Sequence, residues 1–100
     1  MRPGNTKSIA LGAGYQRLAT LYDATFTDAI KEGDEVANKC FLSISTQGAE
    51  IAYGLTTPAT AGHPLGSGDS ITMDNQEYIK RSWLRYTTSG SILIISPIFE

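Results

Sequence analysis

Apolar and polar residues alternate in short runs along the chain, and turn residues separate the runs about every 8–12 positions. The clearest run covers residues 36–45, where Cys40, Leu42 and Ile44 share one face and only Phe41 breaks the alternation. This pattern is typical of small antiparallel sheets that close over one core. The sequence therefore predicts an all-β fold, either a small antiparallel β-sandwich or a jelly-roll-like barrel.

The same alternation predicts further strands. They cover residues 7–11, 15–22, 50–55, 69–73, 77–88 and 92–95. Only Gln47, Gly48 and two neighbours separate the run 36–45 from its successor 50–55, which favours pairing of these two strands as a hairpin. Residues 92–95 are apolar without alternation, so we expect both faces of that strand to be covered.

Two segments lack strand signals. Residues 56–68 contain two prolines and several glycines, which predicts a surface loop. In residues 24–32, Phe26, Ala29 and Ile30 have helical spacing, which indicates one short helix, with a polar loop as the alternative.

The two ends of the chain differ in character. Residues 1–6 contain no large apolar group apart from Met1, and they are predicted to form an extended arm before a single β-sandwich domain over residues 7–100. At the other end, Pro97 favours an edge position, and Ile98 and Phe99 follow it without a polar tail. This apolar end is expected either to pack into the core or to dock on another subunit.

Composition and charge exclude several classes of function. One hundred residues with 41% hydrophobic and 18% charged side chains suit one globular domain. A net charge of −2 offers no basic surface for phosphate backbones, so no direct nucleic-acid partner is expected. No apolar stretch is long enough for a signal peptide or a membrane span, so we expect no membrane partner and synthesis in a cytoplasm.

Reactive groups are few and isolated in the sequence. His63 is the only histidine, so neither a catalytic triad nor a histidine metal site is expected, and no cofactor is predicted. Cys40 is the only cysteine, and we expect a buried hydrophobe rather than a reactive thiol. Arg81, Trp83 and Arg85 interleave cations with an aromatic ring, but this pattern suits a packed strand better than a nucleic-acid groove. The chain is therefore expected not to be an enzyme.

Three segments resemble small virion proteins of tailed bacteriophages. These segments are Glu50-Ile51-Ala52-Tyr53-Gly54, Pro64-Leu65-Gly66-Ser67-Gly68-Asp69-Ser70-Ile71-Thr72 and Ser89-Gly90-Ser91-Ile92-Leu93-Ile94-Ile95. The resemblance covers about residues 36–98 and implies a capsid decoration or cement protein on the virion surface. Its implied partners are the major capsid protein or another virion protein, together with further copies of the chain as a dimer or trimer.

Candidate interface residues come from the apolar end, the long loop, the aromatic strand and the arm. They are Ile94, Ile98, Phe99, Trp83, Pro64, Leu65 and Arg2. A structural protein of the tail or head–tail connector is one alternative function. A carbohydrate- or small-ligand-binding module is another, with Tyr53, His63, Trp83 and Tyr86 as an aromatic platform.

Overall fold

The computed structural model describes residues 1–99, and within them the chain forms ten strands and two short helices. The strands are β1 (Arg2–Pro3), β2 (Lys7–Ala10), β3 (Gln16–Arg17), β4 (Lys31–Glu32), β5 (Glu35–Thr46), β6 (Ala49–Tyr53), β7 (His63–Leu65), β8 (Ser70–Met73), β9 (Ser82–Tyr86) and β10 (Ile92–Phe99). The helices are α1 (Leu18–Tyr22) and α2 (Gln76–Arg81). All strand pairs are antiparallel, which confirms the predicted all-β fold.

The first sheet is built around β10. Strand β5 pairs along one side of β10, while β2 and β1 pair in succession along the other side. Strands β8 and β4 then pair with different parts of β5. The six strands therefore occupy four side-by-side positions across the sheet, because β1 and β2 share one edge and β4 and β8 share the other. Strands β10 and β5 lie in the middle.

The second sheet has the strand order β3-β9-β6-β7 and packs against the inner face of the first. Along β10 the buried and half-buried residues alternate strictly, so Leu93, Ile95, Pro97 and Phe99 point into the core. Ile51 of β6 and Leu84 of β9 come from the second sheet and are fully buried. The core is thus the space between two sheets, as in a β-sandwich.

The predicted hairpin between residues 36–45 and 50–55 is wrong. Strand β5 belongs to the first sheet, and β6 pairs with β9 and β7 in the second. Between them, Gln47 adopts a positive φ of 57° and Gly48 follows it, so the chain crosses from one sheet to the other. The turn was located correctly, but turn residues do not show which strands it joins.

Both helices lie outside the predicted interval 24–32. Residues 24–30 form turns, and Lys31 and Glu32 form β4, which makes a hairpin with β5 around Gly33 at φ 61°. Helix α1 replaces most of the strand predicted over residues 15–22. Helix α2 replaces the first half of the strand predicted over residues 77–88, because Asn75 caps it by accepting a hydrogen bond from the Tyr78 backbone N–H.

The N-terminal segment, which the sequence predicts to be an arm outside the domain, lies along its own sheet. Arg2 pairs with Phe99 and Pro3 with Ile98, and the Gly4 backbone N–H donates a 2.8 Å hydrogen bond to the Pro97 carbonyl. A Cβ atom on Gly4 would lie 2.5 Å from Cε2 of Phe99, so this close approach requires glycine. The arm therefore completes the first sheet and is not free in this conformation.

Strand β10 is central, which contradicts the edge position predicted from Pro97. The N–H and C=O of one residue in an antiparallel strand point to the same side, and the Pro97 carbonyl points to the arm. The N–H that proline lacks would therefore face residues 4–6, in the gap between β1 and β2. No hydrogen bond to β5 is lost, so proline is tolerated in a central strand here.

Candidate functional site

The outer face of the first sheet, the face turned away from the core, is the most unusual surface of the molecule. Cross-strand partners share a face, and the pairs Ile94–Ser43, Ser96–Phe41 and Phe41–Thr72 all point away from the core. The outer face consists of Pro3, Thr6, Ser8, Ala10, Lys39, Phe41, Ser43, Ser70, Thr72, Ile92, Ile94, Ser96 and Ile98. Each of these residues is exposed or half-buried.

This outer face carries little charge around Phe41. Lys39 is the single ionisable side chain among these residues, and Lys31, which pairs with Val36 on the same face, adds a second one at the end of the sheet. Its other side chains are apolar or bear short hydroxyl groups, and the Phe41 residue is 45% exposed. The solvated face of an antiparallel sheet is usually polar, so this composition makes the outer face a candidate contact surface.

A shallow depression lies beside Phe41 on the outer face. Its volume is about 230 Å³, and its lining includes Phe41, Ser43, Thr72, Ile94 and Ser96. A projecting aromatic ring and an adjoining hollow with apolar and hydroxyl walls therefore occupy the same surface. Shape of this kind suits packing against another protein surface.

Only two of the predicted interface residues lie on the outer face. Ile94 and Ile98 both lie on the outer face and are half-buried. Phe99 points the other way into the core and is only 1% exposed, so it is not available to a partner in this conformation. Its position on β10 decides this, because successive side chains of a strand point to opposite faces.

Trp83, Pro64 and Leu65 lie on the second sheet, away from the outer face. Trp83 is 7% exposed, and its Nε1 donates a 2.9 Å hydrogen bond to the Gly54 carbonyl. The guanidinium of Arg17 stacks over the Trp83 ring at 4.6 Å. Pro64 is exposed on the edge strand β7, whereas Leu65 packs against the core.

Arg2 holds the N-terminal strand in place. Its guanidinium bonds to Glu32 at 2.7 Å and Glu35 at 2.6 Å, and it lies over the Phe99 ring at 5.0 Å. The hydrogen bond to Glu35, followed by that to Glu32, raises the pKa of Arg2 above its ordinary value. The contacts described for Arg2 thus tie the arm to the β4–β5 hairpin of its own chain.

Phe41 is a prominent residue of the outer face that the sequence predictions left out. Its signal was present, since it is the one apolar residue that breaks the alternation of residues 36–45. A large apolar side chain on the outward side of a regular strand is exposed to solvent unless another element or a partner covers it. Its neighbours could not be identified without the register of β5 against β10 and β8.

A second cluster of polar groups lies on the outer side of the second sheet. Glu50 is 7% exposed, forms an ion pair with Arg85, and accepts a 2.9 Å hydrogen bond from the Tyr15 hydroxyl. Burial opposes ionisation of Glu50, but the hydrogen bonds from Arg85 and Tyr15 outweigh it and lower the pKa of Glu50. Burial and then the bond to Glu50 raise the pKa of Tyr15. Tyr15, Glu50 and Arg85 thus satisfy one another's hydrogen-bonding groups and charges, which is typical of a structural network.

The aromatic platform proposed from the sequence is only partly assembled. Tyr53 lies 6.4 Å from His63 between ring centroids, and 6.0 Å from Tyr78, which had been assigned to a strand. Trp83 is covered by Arg17 instead of being presented to solvent. Tyr53, Asn75, Glu77, Tyr78 and Arg81 line a cleft of about 200 Å³.

The remaining candidate groups show no cluster of reactive side chains. Cys40 is fully buried on β5, and burial raises the pKa of its thiol to about 12, so it stays protonated at neutral pH. Within residues 1–99, no group of three or more His, Cys, Asp or Glu side chains is placed to hold a metal ion. No helix formed by these residues has the length and apolar character needed to cross a membrane.

Comparison of the chain with protein-family models, with curated proteins and with solved structures finds no significant match. The resemblance to virion proteins therefore remains a prediction from short sequence segments. The outer face of the first sheet and the aromatic cleft are the two surfaces from which a function can be inferred.

Proposed function

We propose that the chain is a non-enzymatic structural protein that acts through protein–protein contacts made by the outer face of the first sheet. The observation that carries this proposal is the nearly uncharged composition of that face around the exposed Phe41 ring. Apolar side chains gain free energy on leaving water, and a hydroxyl group can be buried when it keeps one hydrogen bond, whereas a charged group needs an opposite charge. A face of this kind is suited to being covered.

The size of the outer face also supports the proposal. Four strand positions at about 4.8 Å and eight residues at about 3.3 Å each give an area of about 500 Å². Contact with an equal area on a partner would bury about 1,000 Å² in total, which reaches the lower end for specific interfaces. Many copies on one assembly would strengthen such a modest contact through avidity.

In its specific form, the proposed role is that of a capsid decoration or cement protein of a tailed bacteriophage. The support for it is the resemblance described above together with the contact surface. The protein would be made in the host cytoplasm and would lie on the capsid surface, bound to the major capsid protein or another virion protein. A location in the tail or head–tail connector is the alternative, and imaging of labelled particles separates the two by position.

Co-sedimentation with empty heads of the phage that encodes the protein tests this role. We expect the wild type to pellet with the heads and Phe41→Asp to stay in the supernatant, because the aspartate places an unpaired charge at the centre of the outer face. Tyr78→Asp is the matched control, since Tyr78 is also an exposed aromatic, at 51%, but lies on α2. Absence of wild-type protein from the pellet would contradict the role in the shell.

The aromatic cleft supports a second candidate function, the binding of a carbohydrate or small ligand. Tyr53 is 42% and Tyr78 51% exposed, and their rings meet edge-on beside the ion pair of Glu77 and Arg81. The cleft of about 200 Å³ is smaller than the roughly 300–1,000 Å³ of drug-sized sites, so it suits a single ring such as a pyranose.

A glycan array and NMR titration with methyl glycosides test this second candidate. Micromolar binding that Tyr78→Ala removes and Phe41→Ala retains would support a ligand site at the cleft. Shifts that are absent at Tyr53 and Tyr78 up to millimolar glycoside would exclude it.

A further inference from the structure

We propose that the occupant of the outer face is a second copy of this chain, and that two copies pack their first sheets face to face around a two-fold axis. The inference deepens the proposed function and rests on it in one respect, namely that the outer face is the contact surface. The dimer is the state of the protein away from the shell, and on a phage head the capsid protein would replace the second copy on the same face.

Charge is the first reason for choosing a second copy. A two-fold interface brings one surface against itself, so charged groups on it repel unless an opposite charge lies where they meet. No acidic side chain is among the outer-face residues, and the two lysines of this face, Lys31 and Lys39, lie near the arm end of β10, away from Ile94 and Ser43. The centre of the face can therefore meet a second copy without repulsion.

The direction of the two-fold axis follows from the position of Lys39 on the outer face. An axis that runs across the strands near Ser96 and Phe41 reverses the strand direction of the second copy. It therefore moves the two Lys39 side chains towards opposite sides of the axis and places uncharged residues at the centre. Two sheets related in this way would stack about 10 Å apart, as in a β-sandwich.

Shape is the second reason. Phe41 projects from the outer face next to a hollow of about 230 Å³ on that same face. A cavity of roughly 150 Å³ is enough to hold a benzene ring, so the hollow can take the phenyl group of another Phe41. In a two-fold contact, Phe41 of each copy enters the hollow of the other copy, so the same contact is made twice.

Area is the third reason. The outer face offers about 500 Å² per copy, so the pair would bury about 1,000 Å². That value lies below the roughly 1,200–2,000 Å² of stable complexes, among weak and transient contacts, and predicts a dimer that dissociates at low protein concentration. The proposal is therefore of a reversible dimer with a central aromatic anchor.

Sedimentation equilibrium of the purified full chain over a range of concentrations tests the proposal. We expect the mass to rise from the monomer value of 10.8 kDa towards twice that value. Phe41→Asp should raise the dissociation constant by about 30-fold or more, as loss of a central hot spot does. Tyr78→Asp should leave the dissociation constant unchanged, because Tyr78 lies outside the outer face.

A cross-linking experiment checks the geometry independently of any disruptive substitution. Native Cys40 is buried and protonated, so Ser96→Cys and Ser89→Cys each provide one reactive thiol without other changes. A short bifunctional maleimide should join two copies of Ser96→Cys, which lies next to the axis on the outer face, much faster than two copies of Ser89→Cys in an exposed turn. Equal rates for the two variants would overturn the face-to-face arrangement.

The outcomes separate this inference from the proposed function. A chain that stays monomeric at millimolar concentration, yet loses head binding in Phe41→Asp, overturns the dimer and retains the structural role. A chain that dimerises through the outer face but ignores phage heads supports the dimer and overturns that role. A dimer that survives Phe41→Asp, with a folded variant confirmed by circular dichroism, overturns the inference.

Discussion

Phe99→Ala is expected to destabilise the folded protein by about 3–5 kcal/mol, the usual cost of truncating a buried phenylalanine. The Phe99 side chain is fully buried, and it also provides the ring over which Arg2 lies and against which Gly4 packs. The substitution would leave a cavity where the arm meets the core. Urea unfolding followed by circular dichroism measures the change in the free energy of unfolding.

Phe41→Ala is the matched control for Phe99→Ala, because it removes the same ring from the outward side of the adjacent strand. Since Phe41 is 45% exposed, we expect a change of no more than about 1 kcal/mol when the protein is studied as a dilute monomer. Equal losses for the two variants would show that the face assignment of β5 or β10 is wrong.

The burial of Phe99 also determines what a truncation of the C-terminal end would test. Deletion of residues 97–100 would test docking only if Ile98 and Phe99 formed an apolar anchor separate from the core. Strand β10 is in fact central, and its last residues pair with both β1 and β5. Deletion would therefore remove part of the core and test folding rather than partner binding.

Trp83→Ala is expected to lower the free energy of unfolding by about 3 kcal/mol. This value is at the low end for truncation of a large aromatic side chain, because the Trp83 ring is covered by Arg17 and lies outside the core between the sheets. The indole ring supports the Arg17 guanidinium, and its N–H satisfies the Gly54 carbonyl. Loss of the ring would leave both groups without these contacts. The same urea experiment measures the effect.

Tyr53→Ala is the control for Trp83→Ala, because Tyr53 is an aromatic residue of the same sheet that is 42% exposed. Its replacement should cost less than about 1 kcal/mol. A Trp83→Ala protein as stable as the wild type would restore Trp83 as a candidate for a ligand platform. A large loss assigns Trp83 to the scaffold.

The sequence predicted the strands with long, regular patterns but not how the sheets combine. Alternation over residues 36–45 identifies β5 and its inward side chains correctly, because burial of one face imposes a period of two. The pairing of β5 with β10 is between segments about fifty residues apart, and nothing local encodes it. For that reason the turn at Gln47 was interpreted as a hairpin although it changes sheets.

The helices were missed for a different reason. Helix α1 has five residues and α2 has six, which is too short for a helical period to stand out against strand alternation. Only α2 had a readable signal, with Asn75 as the cap, Glu77 in the first turn and Arg81 in the last. Missing it hid Tyr78 and, with it, the aromatic cleft.

The candidate site was also predicted in part. Ile94 is predicted from the lack of alternation in residues 92–95, and Ile98 from the apolar end after Pro97; both lie on the outer face. Phe99 was grouped with them by proximity in sequence, although strand alternation places it on the opposite side. The low charge of the outer face emerges only when four strand positions are brought side by side, so no single segment could reveal it.

The most direct test of the account measures whether the outer face is covered in solution. A neutral, soluble paramagnetic probe should broaden the methyl NMR signals of Ile94 and Ile98 in dilute protein, and broaden them progressively less as the protein concentration rises. The methyl groups of Leu55, which is 52% exposed and lies outside the outer face, should be broadened equally throughout. Ile94 and Ile98 methyl groups that stay as accessible as those of Leu55 at every concentration, and with phage heads present, would contradict the central claim.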